Sequence, residues 1–345
     1  MPTLAAARRL STTFQQGNRQ PHQWLATTFR ELFKAYPQVA DPSQFLRLNG
    51  SSGLWTARET SAAHSSKTGR KRRQTAQTVH NEAMCLLALG WMHHPRWWLV
   101  MTGNRDEFHA RPTAALAPWQ DETSVIGGRD LRSGGGWAGV GASGRMAVVT
   151  NVRDPLAAQT GPSRGALVAD FLRGRDAAAV HIDRLATVAS AYAPFNLLLA
   201  DGDSLEYLGN HPAERQRLGP GVHGMSNGAL DAPWPKTRRL MAALEHWLQE
   251  DGVRSLSQSE RDLTPDLTPL WDALADEHRP ADSDLPDTGI GLERERWLSP
   301  AFIRGDDYGT RASTVLLIDA NGHGQIHERR FGPQGVALGQ SQVDF

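Results

Sequence analysis

Two apolar runs joined by a short polar turn form the first strongly patterned part of the chain. Both lie within Met84–Phe108, and His94-Pro95 stands between them. Apolar runs bounded by turn residues predict the two strands of a β-hairpin. The second run ends in the charged sequence Asn-Arg-Asp-Glu at residues 104–107. The hairpin would bring this charged end back beside Cys85 at the start of the first strand.

After residue 108 the pattern predicts further hairpins, with two consecutive helices between them. Hairpins are expected at 137–140 with 146–150, at 195–200 with 204–208, and at 311–319 with 325–331. Helices are expected at 163–172, at 177 to about 191 with Asp176 as the cap, at 235 to about 249, and at 270–276. A loop is expected at 110–119 and a short strand at 222–227. This order predicts the α+β class, with antiparallel sheets covered by helices.

Residues 1–83 differ from the remainder in charge and pattern. They contain 12 of the 37 Lys and Arg residues but 4 of the 37 Asp and Glu residues. Apart from one weakly helical stretch at 23–34, they show no regular apolar spacing. We interpret them as a disordered basic extension or as sequence upstream of a translation start at Met84. Residues 84–345 are expected to form one domain.

Composition excludes several classes of function. Residues 84–345 carry eight more acidic than basic residues, and an acidic body argues against nucleic-acid binding. A single cysteine excludes an internal disulfide and a cysteine-based zinc site. Because no apolar run reaches the roughly 20 residues of a membrane helix, a soluble, cytoplasmic protein without integral membrane contact is expected. The sequence does not specify an oligomeric state.

Cys85 would gain a distinct chemistry if Met84 were removed. The cysteine would then carry a free α-amino group with a pKa of about 7.7–8.0, close to the thiol value of about 8.5. Such an amine can take the thiol proton, as in enzymes that use their first residue as nucleophile. An internal Cys85 has an amide nitrogen instead, which is no base. The alternative is an ordinary buried cysteine in a strand.

Three other motifs suggest different chemistry. Gly224-Met-Ser226-Asn-Gly228 matches the G-x-S-x-G spelling of a serine nucleophile, but Pro233 and Pro235 delay the helix that such a motif requires. The glycines after Ser133 precede a strand, whereas phosphate-binding glycines precede a helix. The histidines show no metal-ligand spacing, although the adjacent pair at 93–94 could contact haem iron. Neither a metal nor a cofactor is expected.

Ten short motifs in order along residues 84–331 are similar to those of the NRDE family, also called the transport and Golgi organisation protein 2 family. The motifs are Met84-Cys-Leu-Leu, Asn104-Arg-Asp-Glu-Phe, Ala110-Arg-Pro, Gly128-Arg-Asp, Gly135-Gly-Trp, Thr150-Asn-Val-Arg, Ser163-Arg-Gly, Phe195-Asn-Leu-Leu, Ser226-Asn with Asp231-Ala-Pro-Trp-Pro-Lys, and Tyr308-Gly-Thr-Arg-Ala-Ser-Thr-Val. Members of that family begin at the equivalent of Met84. The resemblance does not cover residues 1–83.

This resemblance implies a fold and a reaction. The fold would be that of the N-terminal nucleophile hydrolases, a four-layer αββα sandwich, and the reaction hydrolysis of a linear amide or acyl bond through a thioester. Cys85 would attack, Arg105 and Asp106 would hold the thiolate and the amine, Asn151 or Asn227 would donate to the oxyanion, and Arg311 would order the pocket or bind an anionic group. The candidate substrate-binding residues are Asn104, Arg129 and Trp137. The alternative is a binding and trafficking protein for haem or for a lipid or acyl-CoA on the same scaffold, without hydrolysis.

Overall fold

The computed structural model describes residues 84–257 and 264–345. The strands are β1 (Met84–Trp91), β2 (Trp97–Phe108), β3 (Thr113–Trp119), β4 (Glu122–Asp130), β5 (Ala138–Val140), β6 (Met146–Asn151), β7 (Phe195–Ala200), β8 (Leu205–Asn210), β9 (Ala213–Leu218), β10 (Gly221–Met225), β11 (Tyr308–Asp319), β12 (Gly324–Phe331) and β13 (Ala337–Asp344). The α-helices are α1 (Arg164–Arg173), α2 (Ala178–Ala186), α3 (Pro235–Ser257), α4 (Thr268–Leu274) and α5 (Leu292–Trp297). The expected helix at 23–34 and the interpretation of residues 1–83 concern residues outside this description and stay predictions.

The strands form two antiparallel sheets. The first has the order β10-β1-β2-β11-β12-β13, and the second has the order β3-β4-β5-β6-β7-β8-β9. Strand β2 therefore lies in the middle of the first sheet, between β1 and β11. A central strand is buried on both faces, which explains why the charged residues at its end are enclosed rather than solvated.

Three hydrophobic clusters separate four layers. Leu87 of β1 packs with Leu198 of β7 in a cluster between the two sheets. Leu86, the preceding residue of β1, packs with Leu244 of α3 on the opposite face of the first sheet. Helices α1 and α2 pack on the far face of the second sheet, where Phe171 joins a third cluster. Successive side chains of a strand point to opposite faces, so this alternation produces the helix–sheet–sheet–helix order. The predicted α+β class and αββα sandwich are confirmed.

The first predicted hairpin is confirmed in register. Strands β1 and β2 pair antiparallel, with Met84 opposite Asp106 and Cys85 opposite Arg105. The turn between them contains His94 and Pro95, as expected from the sequence. Pairing therefore places the only cysteine beside the charged end of β2.

Strand β3 contradicts the expected loop at 110–119. Its Pro118 lacks an N–H and suggested a break, but β3 is an edge strand of the second sheet and its pairing with β4 is irregular around residues 114–119. Proline is tolerated at an edge because no neighbour requires its donor. Strands β9 and β13 were also not expected; every residue of β13 is at least partly exposed, so its pattern carries no apolar alternation.

The second helix is shorter than predicted and is capped differently. It ends at Ala186 rather than near residue 191. Asp201 in the β7–β8 turn accepts a hydrogen bond of 2.5 Å from the Ala178 N–H, and Asp176 pairs with Arg184 instead. The cap thus comes from a residue 23 positions away in sequence, which local reasoning misses. Helix α3 is longer than expected and runs to Ser257.

Candidate functional site

A cavity of about 610 Å³ opens where the ends of both sheets meet helix α1. Cys85 lies in its wall, together with residues from the two sheets and from the segment that leads into α1. The cavity is mainly polar. Six arginines and four carboxylates line it: Arg105, Arg111, Arg132, Arg164, Arg311 and Arg330, with Asp106, Glu107, Asp130 and Glu328.

The close approach of two glycines sets the wall on the side of the second sheet. A Cβ at Gly135 would lie 2.3 Å from the carbonyl carbon of Gly165, and real side chains are not seen this close. The glycine-rich loop at 133–136 can contact the first turn of α1 because both residues at the contact lack a side chain. This contact fixes where Arg164 enters the cavity, and it gives the glycines after Ser133 a packing role.

In the chain that retains Met84, the Cys85 thiol is buried and protonated. The residue is 6% exposed. Burial raises the pKa of the Cys85 thiol to about 12, the charge of Asp106 raises it further, and Arg105 lowers it in part. The Asp106 N–H also donates a hydrogen bond to the sulfur. At neutral pH an internal Cys85 is therefore a thiol rather than a thiolate.

Arg105 and Asp106 occupy different faces of β2. Arg105 is directly opposite Cys85, and residues at this register share a face of the sheet. The Arg105 guanidinium lies 3.4 Å from Glu107, two residues farther along the same face. Asp106 points to the other face, as strand alternation requires, and there it is opposite Met84. The arginine is thus placed to act on the thiol, and the carboxylate is placed beside the residue that precedes Cys85.

Asp106 is completely buried, and the described residues satisfy only one of its oxygens. Oδ1 accepts a hydrogen bond of 2.6 Å from the Thr310 hydroxyl. Oδ2 is buried and has no hydrogen-bond partner among the described residues. Burial raises the pKa of the Asp106 carboxyl to about 6, and the nearby Lys236 counteracts this. A buried carboxylate oxygen without a donor is energetically costly.

Lys236 is a buried cation beside this carboxylate. Its ammonium donates to the Leu298 carbonyl over 3.0 Å. Burial lowers the pKa of Lys236 to about 8, Arg153 lowers it further, and Asp106 and Cys85 raise it. Lysines are rarely enclosed without a paired charge. Lys236 therefore belongs to the electrostatic surroundings of Cys85, although the sequence suggested only a helix beginning with Pro-Lys.

Met84 fills the space next to Asp106. Its side chain is 1% exposed and packs with Leu298 and Tyr308. The Met84 N–H donates to the Tyr308 hydroxyl over 2.8 Å, and the Met84 sulfur lies 2.9 Å from Arg153. The residue before Cys85 is thus enclosed by Tyr308 and Arg153, and the charge of Arg153 also acts on Asp106.

The two candidate asparagines differ in position, because one lines the cavity and the other lies behind it. Asn151 lines the cavity. Asn227 is buried, and its amide donates to the Asn151 carbonyl over 2.8 Å. Its neighbour Ser226 donates to the Cys85 carbonyl over 2.9 Å. Asn151 is therefore the one placed to contact a bound molecule, while Asn227 and Ser226 fix the main chain around the cavity.

Ser226 has the environment of a structural serine. It is 3% exposed, and its hydroxyl is used by the Cys85 carbonyl. Helix α3 begins nine residues later at Pro235. A nucleophilic serine in this motif stands at the start of a helix with its hydroxyl exposed. The G-x-S-x-G spelling is thus explained by positioning of Cys85.

The other predicted site residues are divided between the cavity and its surroundings. Trp137 and Arg311 line the cavity, and Arg311 donates to the carbonyls of Phe108, His109 and Arg111. Arg129 pairs with Asp121 at the surface.

Asn104 is fully buried on the face of β2 that packs against the helices. Its amide donates to the Leu274 and Ala301 carbonyls. Asn104 and Arg129 are therefore not brought to the cavity.

The adjacent histidines lie at the far end of the first hairpin. They follow β1, roughly 25 Å from Cys85 at a strand rise of about 3.3 Å per residue. His94 accepts hydrogen bonds from the Arg96 and Trp97 N–H groups, and His93 contacts Glu245. Within residues 84–257 and 264–345, no group of three or more His, Cys, Asp or Glu side chains is arranged to hold a metal.

The family of the chain follows from a match that spans most of the described residues. The model of the family "Transport and Golgi organisation 2" matches residues 84–333. The chain belongs to this family.

Relatives in the transport and Golgi organisation 2 family support the assignment at the level of whole sequences. The Transport and Golgi organization protein 2 homolog of Bos taurus is 32% identical over 248 residues, 67% of this chain and 86% of the relative. The homolog of Mus musculus is 30% identical over 247 residues, with the same coverage. Residues 1–83 lie outside the matched family segment.

Two solved structures resemble this family member at low sequence identity. The Caenorhabditis elegans ortholog of N-acylethanolamine-hydrolyzing acid amidase has a TM-score of 0.38 and 10% identity, covering 69% of this chain and 93% of that one. A mutant of conjugated bile acid hydrolase from Clostridium perfringens has a TM-score of 0.38 and 7% identity, covering 76% of this chain and 92% of that one.

No helix in the described part of the chain is both long and apolar enough to cross a membrane.

Proposed function

We propose that this protein is a cysteine hydrolase of linear amide or acyl bonds whose active form begins at Cys85. The observation that carries the proposal is Oδ2 of Asp106, which has no hydrogen-bond partner among the described residues. It is fully buried and stands opposite Met84, one residue from Cys85. In a chain that begins at Cys85, the α-ammonium group that forms when the amine accepts the thiol proton would supply a donor and an opposite charge. This interaction would remove the energetic cost of burying the oxygen without a donor.

Loss of Met84 would also change the thiol. With Met84 present, the pKa of the Cys85 thiol is raised to about 12, chiefly by burial. Removing a fully enclosed methionine would admit solvent and provide an amine with a pKa of about 7.7–8.0 as proton acceptor. Arg105, on the same face, stabilises the resulting thiolate. The two forms of the chain would thus differ in nucleophilicity rather than in fold.

The proposed reaction has two balanced steps. In the first, the α-amine accepts the thiol proton, the sulfur bonds to the amide carbonyl carbon, and the carbon–nitrogen bond breaks. The proton passes to the departing amine, which leaves a thioester on Cys85. In the second, water attacks the thioester, the acid leaves, and the thiol is restored. Asn151 would donate to the oxyanion in both steps.

The proposal is tested with two chains that differ by a single residue. Fusions to a cleavable ubiquitin-like partner would release chains beginning at Met84 or at Cys85, with circular dichroism to compare their folds. We expect the Cys85 chain to form an acyl adduct of matching mass with activated amides and esters, and the Met84 chain to form none. Equal turnover by the two chains, or turnover by neither, would contradict the proposal. Intact mass of the natural protein then shows which form exists.

A carrier of haem or an acyl chain on this scaffold stays a prediction. It differs from the hydrolase in one measurable respect, because ligand binding by a carrier would not depend on removal of Met84. A haem absorption band of equal intensity in both chains would favour the carrier.

A further inference from the structure

Positive charge is concentrated around the cavity of a domain that is acidic as a whole. Residues 84–345 hold eight more acidic than basic residues, yet the cavity contains six arginines against four carboxylates. A concave surface with an excess of one sign of charge attracts ions of the opposite sign.

Part of this charge is not neutralised by the protein. Arg105 and Arg111 pair with acidic residues of the cavity. Among the described residues, no carboxylate lies within ion-pair distance of Arg132, Arg164 or Arg311. Arg164 donates to the Pro194 carbonyl, a neutral group. At least three guanidinium groups therefore retain charge that a ligand could neutralise.

Burial acts on charged groups of both signs in the cavity. It raises the pKa of Glu328 as well as that of Asp106. Burial lowers the pKa of Arg164 to about 10, so this guanidinium is still charged at pH 7. The same charge interacts with Cys85 and Glu107, so Arg164 lies within electrostatic reach of the thiol.

We propose that the cavity selects substrates bearing a permanent negative charge, a carboxylate or a phosphate, close to the bond that Cys85 attacks. Arg164 would bind this charge beside the thiol, and Arg132 would contribute at the exposed rim. The first turn of α1 forms the same wall, and its N-terminal end adds partial positive charge. That the bound molecule is a substrate rests on the proposed hydrolase function. The preference for anions can be measured without turnover.

The test uses the full 345-residue chain with Cys85→Ser, which cannot form a thioester. Three probes share one acyl group: N-butyrylethanolamine is neutral, N-butyrylglycine carries a carboxylate, and N-butyryl-O-phosphoethanolamine carries a phosphate. Their affinities are measured by isothermal titration calorimetry at low and high salt. We expect one or both anionic probes to bind at least about tenfold more tightly than the neutral probe. This preference should weaken at high salt.

Variants with one fewer charge then locate the site. Arg164→Gln should reduce affinity for the anionic probe about tenfold and leave the neutral probe unchanged. Arg132→Gln, at an exposed position, provides a second variant that is safe for folding. The matched control is Arg184→Gln, because Arg184 pairs with Asp176 on the outer helix layer.

The inference would be overturned if the neutral and anionic probes bound with equal affinity or if no probe bound. It would also be overturned if the control variant lost as much affinity as Arg164→Gln. Anion-selective binding without turnover by the Cys85 chain would refute only the hydrolase function. Turnover of neutral amides alone would refute only the anion preference.

Discussion

Asp106 and Thr310 are joined across β2 and β11 by a hydrogen bond of 2.6 Å that satisfies one carboxylate oxygen and leaves the other without a partner among the described residues. Because of this asymmetry, the free energy of unfolding should depend on whether Met84 precedes Cys85. In a chain that retains Met84, the carboxylate is a buried charge that the nearby Lys236 offsets only in part. In a chain that begins at Cys85, it would be half of an ion pair.

In the chain that retains Met84, Asp106→Asn should stabilise the protein at pH 7. The pKa of Asp106 is raised to about 6, chiefly by burial, so between about pH 4 and pH 6 the folded state holds a proton that the unfolded state has lost. Stability contributed by this group is therefore present at low pH and lost as the pH rises through about 6. The substitution should add about 2–3 kcal/mol to the free energy of unfolding at pH 7 and little at pH 4.

Urea unfolding at both pH values measures this difference. In the chain beginning at Cys85 the sign should reverse, because asparagine cannot pair with the ammonium group. An Asp106→Asn variant that is less stable at pH 7 in both chains would contradict the account of Oδ2.

The alkylation rate of Cys85 should show whether Met84 is present or has been removed. In the chain that retains Met84, burial raises the pKa of Cys85 to about 12. Its alkylation by iodoacetamide at pH 8 should thus be at least about 100-fold slower than in the same chain unfolded in urea. The chain beginning at Cys85 should react much faster while folded. Equal slow rates in both folded chains would show that removal of Met84 does not activate the thiol.

Replacing the two asparagines should separate contact with the substrate from positioning. Asn151→Ala should lower kcat by about 100-fold with little change in KM, as for loss of an oxyanion donor. Asn227→Ala should act through the Asn151 carbonyl that it holds, and should therefore also lower the melting temperature. Steady-state kinetics with thermal unfolding distinguish the two. Identical kinetic and thermal effects would show that both residues serve the same structural purpose.

A buried ion pair next to Met84 should be important for stability. Arg153 and Glu295 lie 2.5 Å apart, and their side chains are 4% and 3% exposed. Because removing one partner leaves a buried charge, Glu295→Ala should cost about 3–5 kcal/mol. Glu293→Ala on the same helix removes an exposed partner of Arg296 and should cost at most about 0.5 kcal/mol. Chemical unfolding of both variants gives the comparison, and equal losses would contradict it.

The sequence predicted those parts of the site that are local in the chain. Cys85 and Arg105 were placed together because a hairpin with a short turn fixes which residues are opposite. Lys236 and Thr310 escaped prediction because their proximity to Asp106 depends on how α3 and β11 pack against the first sheet. The edge strands β3 and β13 were missed because edges tolerate proline and exposed residues, so the pattern that identifies central strands is weak there.

The two walls of the cavity come from different layers of the fold. The first sheet supplies Cys85 and Arg105, whereas the glycine-rich loop and α1 supply Trp137 and Arg164. Contact between Gly135 and Gly165 ties the second wall together and does not involve β1 or β2. Changes in the loop and in α1 can therefore alter which molecules enter while the strand that bears the thiol stays as it is. The strand that bears the nucleophile and the wall that contacts a bound molecule can thus change separately on this scaffold.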